Sequence, residues 1–175
     1  TPSDAGLSFD PEETGSTFFD NALIKAKALH ELVRLPTLAD DSGLCVEALG
    51  GEPGIHSARF GSENGVILDA ARKNERLLSL MKGVANRRAH YVCNMILYLG
   101  NDRFYSVQET LEGVIVDSGR GSGGFGYDPV VFLPEFNKTV AELSPTEKDL
   151  CSHRGKAGRA LARILLSLPE LTGTK

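Results

Sequence analysis

The most constraining stretch of the sequence is 38–44, where two adjacent acidic residues follow a short apolar segment. Asp40 and Asp41 come directly before Ser42 and Gly43. We expect a strand to end at the acidic pair and the chain to turn at Ser42-Gly43, because Ser and Gly are common turn residues. A strand that ends there holds both carboxylates at a sheet edge, within reach of a metal ion or a phosphate. An acidic turn without any function is the alternative interpretation of this stretch taken alone.

The composition is that of one globular domain in a reducing compartment. The chain has 175 residues, of which 41% are hydrophobic and 24% charged, and no apolar run is long enough to span a bilayer. The net charge of −4 does not favour nucleic acid as a partner. Cys45, Cys93 and Cys151 are far apart and odd in number. This pattern argues against a zinc site or a disulfide framework and favours a cytoplasmic protein.

Periodicity and turn signals predict a mixture of helices and strand pairs. Apolar residues at helical spacing predict a helix over about residues 16–33, with Lys25 and Lys27 on its polar face. Further along we expect a strand at 45–49, a helix at 66–81, a β-hairpin at 89–116 and a final helix that buries residues 157–168. This mixture indicates an α/β or α+β fold.

A glycine-rich loop occupies residues 119–129 and carries two aromatic residues and an acid. Phe125, Tyr127 and Asp128 lie among or directly after five glycines. Glycines let the backbone approach a ligand closely, which a floppy linker would not need. The spacing matches neither a Walker nor a Rossmann loop, so the loop alone is a weak signal.

The most basic part of the chain lies at two predicted helix starts. Ser144-Pro145-Thr146-Glu147 is a capping box, and Ser152 begins a second start. The basic residues near these starts are Lys148, His153, Arg154, Lys156 and Arg159. A solvated helix face would explain them, but helix starts also bind anions.

Carboxylates that hold Mg²⁺, aromatic rings that stack on a base and basic groups for phosphate together suit metal-assisted hydrolysis of a nucleotide.

Five motifs in order resemble the Ham1-like family of inosine/xanthosine triphosphate pyrophosphatases. They are Glu-Glu-Thr-Gly-Ser-Thr-Phe followed by Asn-Ala, Ala-Asp-Asp-Ser-Gly-Leu, Leu-Gly-Gly-Glu-Pro-Gly-Ile-His-Ser-Ala-Arg, Gly-Gly-Phe-Gly-Tyr-Asp-Pro and Ser-His-Arg-Gly. The resemblance covers about residues 12–168. It implies an elongated α/β fold in a single domain over 1–175, with a central mixed β-sheet, two lobes with a cleft between them, and a homodimer.

The resemblance also implies Mg²⁺-dependent hydrolysis of ITP, dITP and XTP to the monophosphate and pyrophosphate, which removes them from the nucleotide pool. By position, Asp41 is the implied general base and a metal ligand, and Glu12 a second metal contact with Glu13 as its rival. The implied substrate contacts are Ser42, the base pocket of Phe125, Gly126, Tyr127 and Asp128, and the basic residues Lys148, His153 and Arg154. No role follows for His56, Ser57 or Arg59.

One part of the family pattern does not occur in this sequence. Family members begin with a strand and a Thr/Ser-Gly-Asn-x-x-Lys loop that grips the triphosphate, whereas this chain begins at Thr1 after that point. We expect an incomplete record of a longer protein rather than a chain that binds triphosphates poorly. The alternatives are a pyrophosphatase for methylated pyrimidine triphosphates, a non-catalytic nucleotide sensor and a nucleic-acid-binding module.

Overall fold

The computed structural model describes residues 1–62 and 66–169, which form a five-stranded sheet and four α-helices. The helices are α1 (Phe18–Val33), α2 (Ala70–Leu80), α3 (Pro145–Cys151) and α4 (His153–Leu166). The strands are β1 (Thr37–Val46), β2 (Arg88–Gly100), β3 (Arg103–Ile115), β4 (Val131–Leu133) and β5 (Lys138–Thr139). The sheet order is β1-β2-β3-β4-β5.

The α/β fold class is confirmed, and the sheet is antiparallel where the resemblance implied a mixed one. The short strand β4 pairs antiparallel with β3, with Val114 opposite Phe132, and also with β5, with Phe132 opposite Thr139. In the described part of the chain, no helix combines the length and the apolar character that a membrane span requires.

The chain divides into two compact units, each with its own buried residues. Unit 1 comprises Thr1–Asp41, Cys93–Gln108 and Ala157–Lys175, the last described to residue 169; unit 2 comprises Ser42–Val92 and Glu109–Lys156. In unit 1, Ala22 and Ala26 of α1 pack on Ile96 and Tyr98 of β2, and Leu161 of α4 packs in a second cluster. The core of unit 2 includes Leu44, Val46, Leu77, Met81, Ile115 and Leu133.

The predicted first helix and the predicted hairpin are confirmed. The helix α1 begins after Thr17, whose side chain accepts a hydrogen bond from Asp20 N at 3.1 Å, and it ends at Arg34 in the left-handed conformation. The hairpin turn between β2 and β3 is formed by Asn101 and Asp102, with φ of 51° and 55°. Positive φ at both central residues is typical of the two-residue turns that join antiparallel strands.

Two predicted boundaries were wrong. The strand β1 does not end at Asp41 but runs through Ser42 and Gly43 to Val46, and a short 3₁₀ segment, Glu47–Leu49, replaces the rest of the predicted strand 45–49. Leu44 and Val46 are fully buried in the core of unit 2, and burial of these side chains outweighs the turn preference of Ser-Gly.

The helix predicted at 66–81 begins later, at Ala70. Asp69 caps it by accepting a hydrogen bond from Arg72 N at 2.8 Å. Val66 and Ile67, which the periodicity counted among its apolar residues, precede the helix and are exposed. The cap therefore sets the start, because it satisfies a backbone N–H that the helix itself cannot pair.

Candidate functional site

The first group of polar residues, here called the acidic cluster, consists of Glu13, Asn21, Lys25 and Asp41 in unit 1. Lys25 Nζ lies 2.8 Å from Glu13 Oε1 and 2.9 Å from Asp41 Oδ1. Asn21 Nδ2 donates a hydrogen bond to the other Asp41 oxygen, Oδ2, at 3.4 Å. One ammonium group is therefore shared by two carboxylates, and the orientation of Asp41 is held at both of its oxygens.

The helix α1 and the segment before it place these side chains. Asn21 and Lys25 lie four residues apart, so both project from the same side of α1. Asn21 Oδ1 accepts a hydrogen bond from Gly15 N at 2.8 Å, which fixes the segment that carries Glu13. A side chain at position 15 would place its Cβ 2.6 Å from Asn21 Oδ1, so the close approach requires glycine there.

Burial and charge shift the protonation equilibria of this cluster. Asp41 is only 7% exposed, and this burial raises the pKa of its carboxyl above the ordinary value, although the hydrogen bond and charge of Lys25 act in the opposite direction. For Lys25, burial lowers the pKa, but the hydrogen bonds to Glu13 and Asp41 outweigh it and the net shift is upward. Asp41 is thus a stronger base than an exposed aspartate, beside a lysine that stays charged.

The carboxylate groups of the acidic cluster are ligands of the type that binds a magnesium ion. Mg²⁺ binds proteins through one or two carboxylates and completes its shell with water and substrate phosphates. Glu13 and Asp41 face a single cationic atom, Lys25 Nζ, so the protein already places two carboxylates around one positive charge. Among the described residues, no group of three or more His, Cys, Asp or Glu side chains could hold a metal by itself.

The acids adjacent in sequence to Glu13 and Asp41 differ from them in exposure or partners. Glu12, which the resemblance named as the second metal contact, is exposed, whereas its rival Glu13 is half-buried and contacts Lys25. Asp40 Oδ2 accepts a hydrogen bond from Cys93 Sγ at 3.9 Å. Ser42 is half-buried in the middle of β1, directly after Asp41.

The second group, here called the glycine-loop cluster, consists of Phe125, Asp128, Lys148, His153 and Arg154 in unit 2. Asp128 is buried and accepts three hydrogen bonds: from Tyr91 Oη at Oδ1 (3.1 Å), and from Phe125 N (2.8 Å) and Lys148 Nζ at Oδ2. The carboxylate therefore ties the loop to α3 and to β2. Three donors balance the cost of burying its charge.

An exposed aromatic ring lies between two cations in this cluster. Phe125 is 63% exposed, with Lys148 Nζ 4.6 Å and Arg154 Cζ 5.6 Å from its ring centroid. Both distances are within the range of cation–π contacts. A large apolar ring exposed beside two positive charges can stack on a planar ligand while the cations meet its oxygen atoms.

A second buried member of the cluster is His153, at the start of α4. Its ring stacks on Tyr91, with 4.8 Å between ring centroids and 4° between ring planes. Tyr91 thus contacts His153 with its ring and Asp128 with its hydroxyl group. The stack positions the imidazole at the helix start, where the sequence predicted anion binding.

Tyr127 and Gly126 are held by different partners. The hydroxyl group of Tyr127 donates to Ser57 O at 2.9 Å, and its side chain is buried in the core of unit 2. Asn74 Nδ2 donates to Gly126 O at 3.0 Å. Gly124 and Gly126 have φ of 71° and 61°, so the loop needs glycine at both positions. These contacts fix the backbone on either side of the exposed Phe125.

The structure brings together most of the residues that the sequence singled out in unit 2, and it adds others in both units. Sequence reasoning missed Asn21, Lys25, Ser57, Asn74 and Tyr91. Lys25, which the periodicity places on the polar face of α1, is half-buried there, and its ammonium group contacts two carboxylates. Ser57 also accepts from Leu44 N at 2.9 Å and donates to Gly54 O at 2.7 Å, which accounts for one residue of the motif that had no role.

The fold and the two clusters define an α/β protein with a half-buried acidic cluster in unit 1 and a basic, aromatic glycine loop in unit 2. A sequence profile of the Ham1 family matches residues 2–164. A curated protein of Treponema denticola, named dITP/XTP pyrophosphatase, is 55% identical over 164 residues, which are 94% of this chain and 84% of that protein. A protein of the same name from Geobacillus kaustophilus is 47% identical over 95% of this chain and 79% of its own length.

Solved structures agree with the sequence matches. The Ham1 protein of Staphylococcus aureus has a TM-score of 0.86 at 39% identity, covering 94% of this chain and 84% of its own. A HAM1 protein from Coxiella burnetii has a TM-score of 0.88 at 35% identity, covering 95% and 84%. The chain belongs to the Ham1 family.

Proposed function

We propose that this protein hydrolyses non-canonical purine nucleoside triphosphates, dITP, XTP and ITP, to the monophosphate and pyrophosphate. The observation that carries the proposal is the 55% identity over 164 residues to a protein named dITP/XTP pyrophosphatase. The two clusters support it, because one offers a carboxylate of raised basicity and the other an exposed ring with cations beside it.

A divalent cation, for which Mg²⁺ is the expected choice, is part of the proposal. Asp41 and Glu13 would hold it, with Glu12 as the alternative that the resemblance names. When bound, the ion would screen the negative charge of the triphosphate from an incoming water. The carboxylate pair suits Mg²⁺ in donor type and number.

Asp41 is proposed as the general base. Burial keeps its carboxylate basic, and Lys25 and Asn21 hold its two oxygens in place. A carboxylate oxygen of Asp41 takes the proton of the water that attacks the α-phosphorus, and pyrophosphate leaves. Lys25 compensates the local negative charge throughout, since it stays protonated between its two partners. Ser42, next in β1, is proposed to contact the substrate.

The glycine-loop cluster is proposed to bind the base. Phe125 stacks on the purine, Gly126, Tyr127 and Asp128 shape the pocket around it, and Lys148, His153 and Arg154 contact phosphate or base. A donor such as Arg154 pairs with the 6-oxo group of hypoxanthine or xanthine. Adenine has an amino group at that position, so donor would face donor and binding would weaken.

Three further expectations go with this function. We propose a homodimer, a cytoplasmic location and a single functional domain over 1–175. Light scattering of the purified protein tests the first of these: twice the mass of the 18.8 kDa chain would support the homodimer.

The test of the function is a substrate panel that separates pyrophosphate from phosphate release. ITP, dITP, XTP, dGTP, ATP and a methylated pyrimidine triphosphate are compared, each with Mg²⁺ and with a chelator. We expect pyrophosphate from the first three, at least about tenfold more efficiently than from ATP. Preference for the pyrimidine would support the alternative enzyme, and tight ITP binding without turnover would support a sensor.

A further inference from the structure

Tyr91 contacts two residues of the glycine-loop cluster, although it belongs to none of the five sequence motifs. It lies on β2 and is only 6% exposed. Its ring stacks on His153 and its hydroxyl group donates to Asp128 Oδ1 at 3.1 Å. A single side chain thus contacts two of the residues proposed to bind substrate.

The hydroxyl group of Tyr91 remains a donor across the working pH range. Burial raises the pKa of its phenol well above the ordinary value, and the neighbouring Asp128 carboxylate raises it further. The neutral phenol binds one oxygen of Asp128, while Phe125 N and Lys148 Nζ bind the other. Because both oxygens are engaged, the plane of the carboxylate is fixed, and with it the loop backbone at Phe125.

We propose that Tyr91 is a positioning residue for nucleotide recognition, acting through the Asp128 carboxylate and the His153 ring. The proposal rests on the proposed function, since it assigns to Tyr91 a part in the same base site. Without the hydroxyl group, Asp128 keeps only the two donors on Oδ2 and can rotate about them. Phe125 and Lys148, both held by that oxygen, then lose their fixed placement in the free protein.

Packing alone accounts for the ring of Tyr91 but not for its hydroxyl group. Tyr91 belongs to the core of unit 2, where phenylalanine would fill the same volume. The substitution Tyr91→Phe therefore removes the proposed positioning contact and keeps the stack on His153. A matched control lies on the same strand: Tyr98 is also buried, and its hydroxyl group accepts from Asp102 N at 3.3 Å in unit 1.

The experiment compares Tyr91→Phe, Tyr98→Phe and the unmodified protein with dITP and Mg²⁺. We expect Tyr91→Phe to raise KM about tenfold, as for loss of one hydrogen bond to a charged group, with kcat within about twofold. Tyr98→Phe should leave both unchanged. An unchanged KM in Tyr91→Phe, or equal changes in the two variants, would overturn the proposal. A Tyr91→Phe protein that is unfolded at the assay temperature would overturn it too, because the hydroxyl group would then be structural.

A double-mutant cycle identifies the partner through which Tyr91 acts. In an Asp128→Ala background, Tyr91→Phe should change KM less than about twofold, because the acceptor of the hydroxyl group is already lost. The same tenfold effect in both backgrounds would contradict action through Asp128. Failure of the proposed function looks different: the unmodified protein would then release no pyrophosphate from dITP, whereas failure of this inference leaves that activity intact.

Discussion

Replacing Lys25 by methionine removes a cation that Glu13 and Asp41 share and keeps most of the side-chain volume. Breaking a fully buried ion pair costs about 3–5 kcal/mol, chiefly because one charge is left buried and unpaired. Lys25 is 19% exposed and Asp41 keeps its hydrogen bond from Asn21, so we expect a smaller loss. The free energy of unfolding should fall by about 2 kcal/mol, which for a chain of this size lowers Tm by about 4–8 °C.

The pH dependence of this loss follows from the raised pKa of Asp41. A carboxyl whose folded-state pKa lies above its ordinary 3.8 destabilises the fold increasingly as pH rises through that pKa. Lys25 lowers the pKa of Asp41, so without Lys25 the upward shift of the Asp41 pKa becomes larger still. The difference in free energy of unfolding between Lys25→Met and the unmodified protein should therefore be largest at pH 8. It should shrink as pH falls towards the folded-state pKa of Asp41.

Lys27→Met is the matched control for this measurement. Lys27 lies on the same helix and its Nζ is 2.7 Å from Asp102 Oδ1, but both side chains are well exposed. An exposed ion pair is worth about 0.2–1 kcal/mol, so we expect a loss at the low end of that range. Urea unfolding of all three proteins at pH 8, 7, 6 and 5 measures both effects. Equal losses in the two variants, or a Lys25→Met loss that does not shrink in acid, would refute the reasoning.

Three substitutions test the proposed roles of individual residues in steady-state assays. Asp41→Asn should lower kcat with dITP by a factor of about 10² or more; a near-normal rate would exclude it as the base. Arg154→Ala should reduce the preference for ITP over ATP, and an unchanged preference would put recognition of the 6-oxo group elsewhere. Gly124→Ala places a Cβ 2.0 Å from Asp128 Oδ2 at a φ of 71°, so it should raise KM at least about tenfold; a KM equal to that of the unmodified protein would show that the loop adapts.

Much of the fold could be predicted from short-range patterns. The start of α3 at the Ser144 capping box and the hairpin over 89–116 depend on local chemistry, and both are confirmed. The helix α1, predicted to start at about residue 16, starts at Phe18 behind its Thr17 cap. The course of β1 could not be predicted in this way. Whether Ser42-Gly43 turns or continues depends on the burial of Leu44 and Val46, which only the folded core decides.

The candidate site shows the same division between local and long-range information. The glycine loop and the basic helix starts were visible in the sequence because glycines and cations cluster there. The roles of Tyr91 and Lys25 were not visible in the sequence, because each residue acquires its partners only through folding. Asp128 lies 37 residues from Tyr91 along the chain, and Asp41 lies 16 residues from Lys25. A buried lysine on an amphipathic helix has no sequence signature that separates it from a solvated one.

Because β1 continues without a break from Asp41 to Val46, the number of residues between Asp41 and the core matters as much as the identity of Asp41. Successive side chains of a strand point to opposite faces, and Leu44 and Val46 are fixed by the core of unit 2. One extra residue between Ser42 and Leu44 would bring the hydroxyl group of Ser42 to the place of the carboxylate and turn Asp41 to the other face. A strand cannot absorb such an insertion gradually, so this segment tolerates substitutions of side chains better than any change of length.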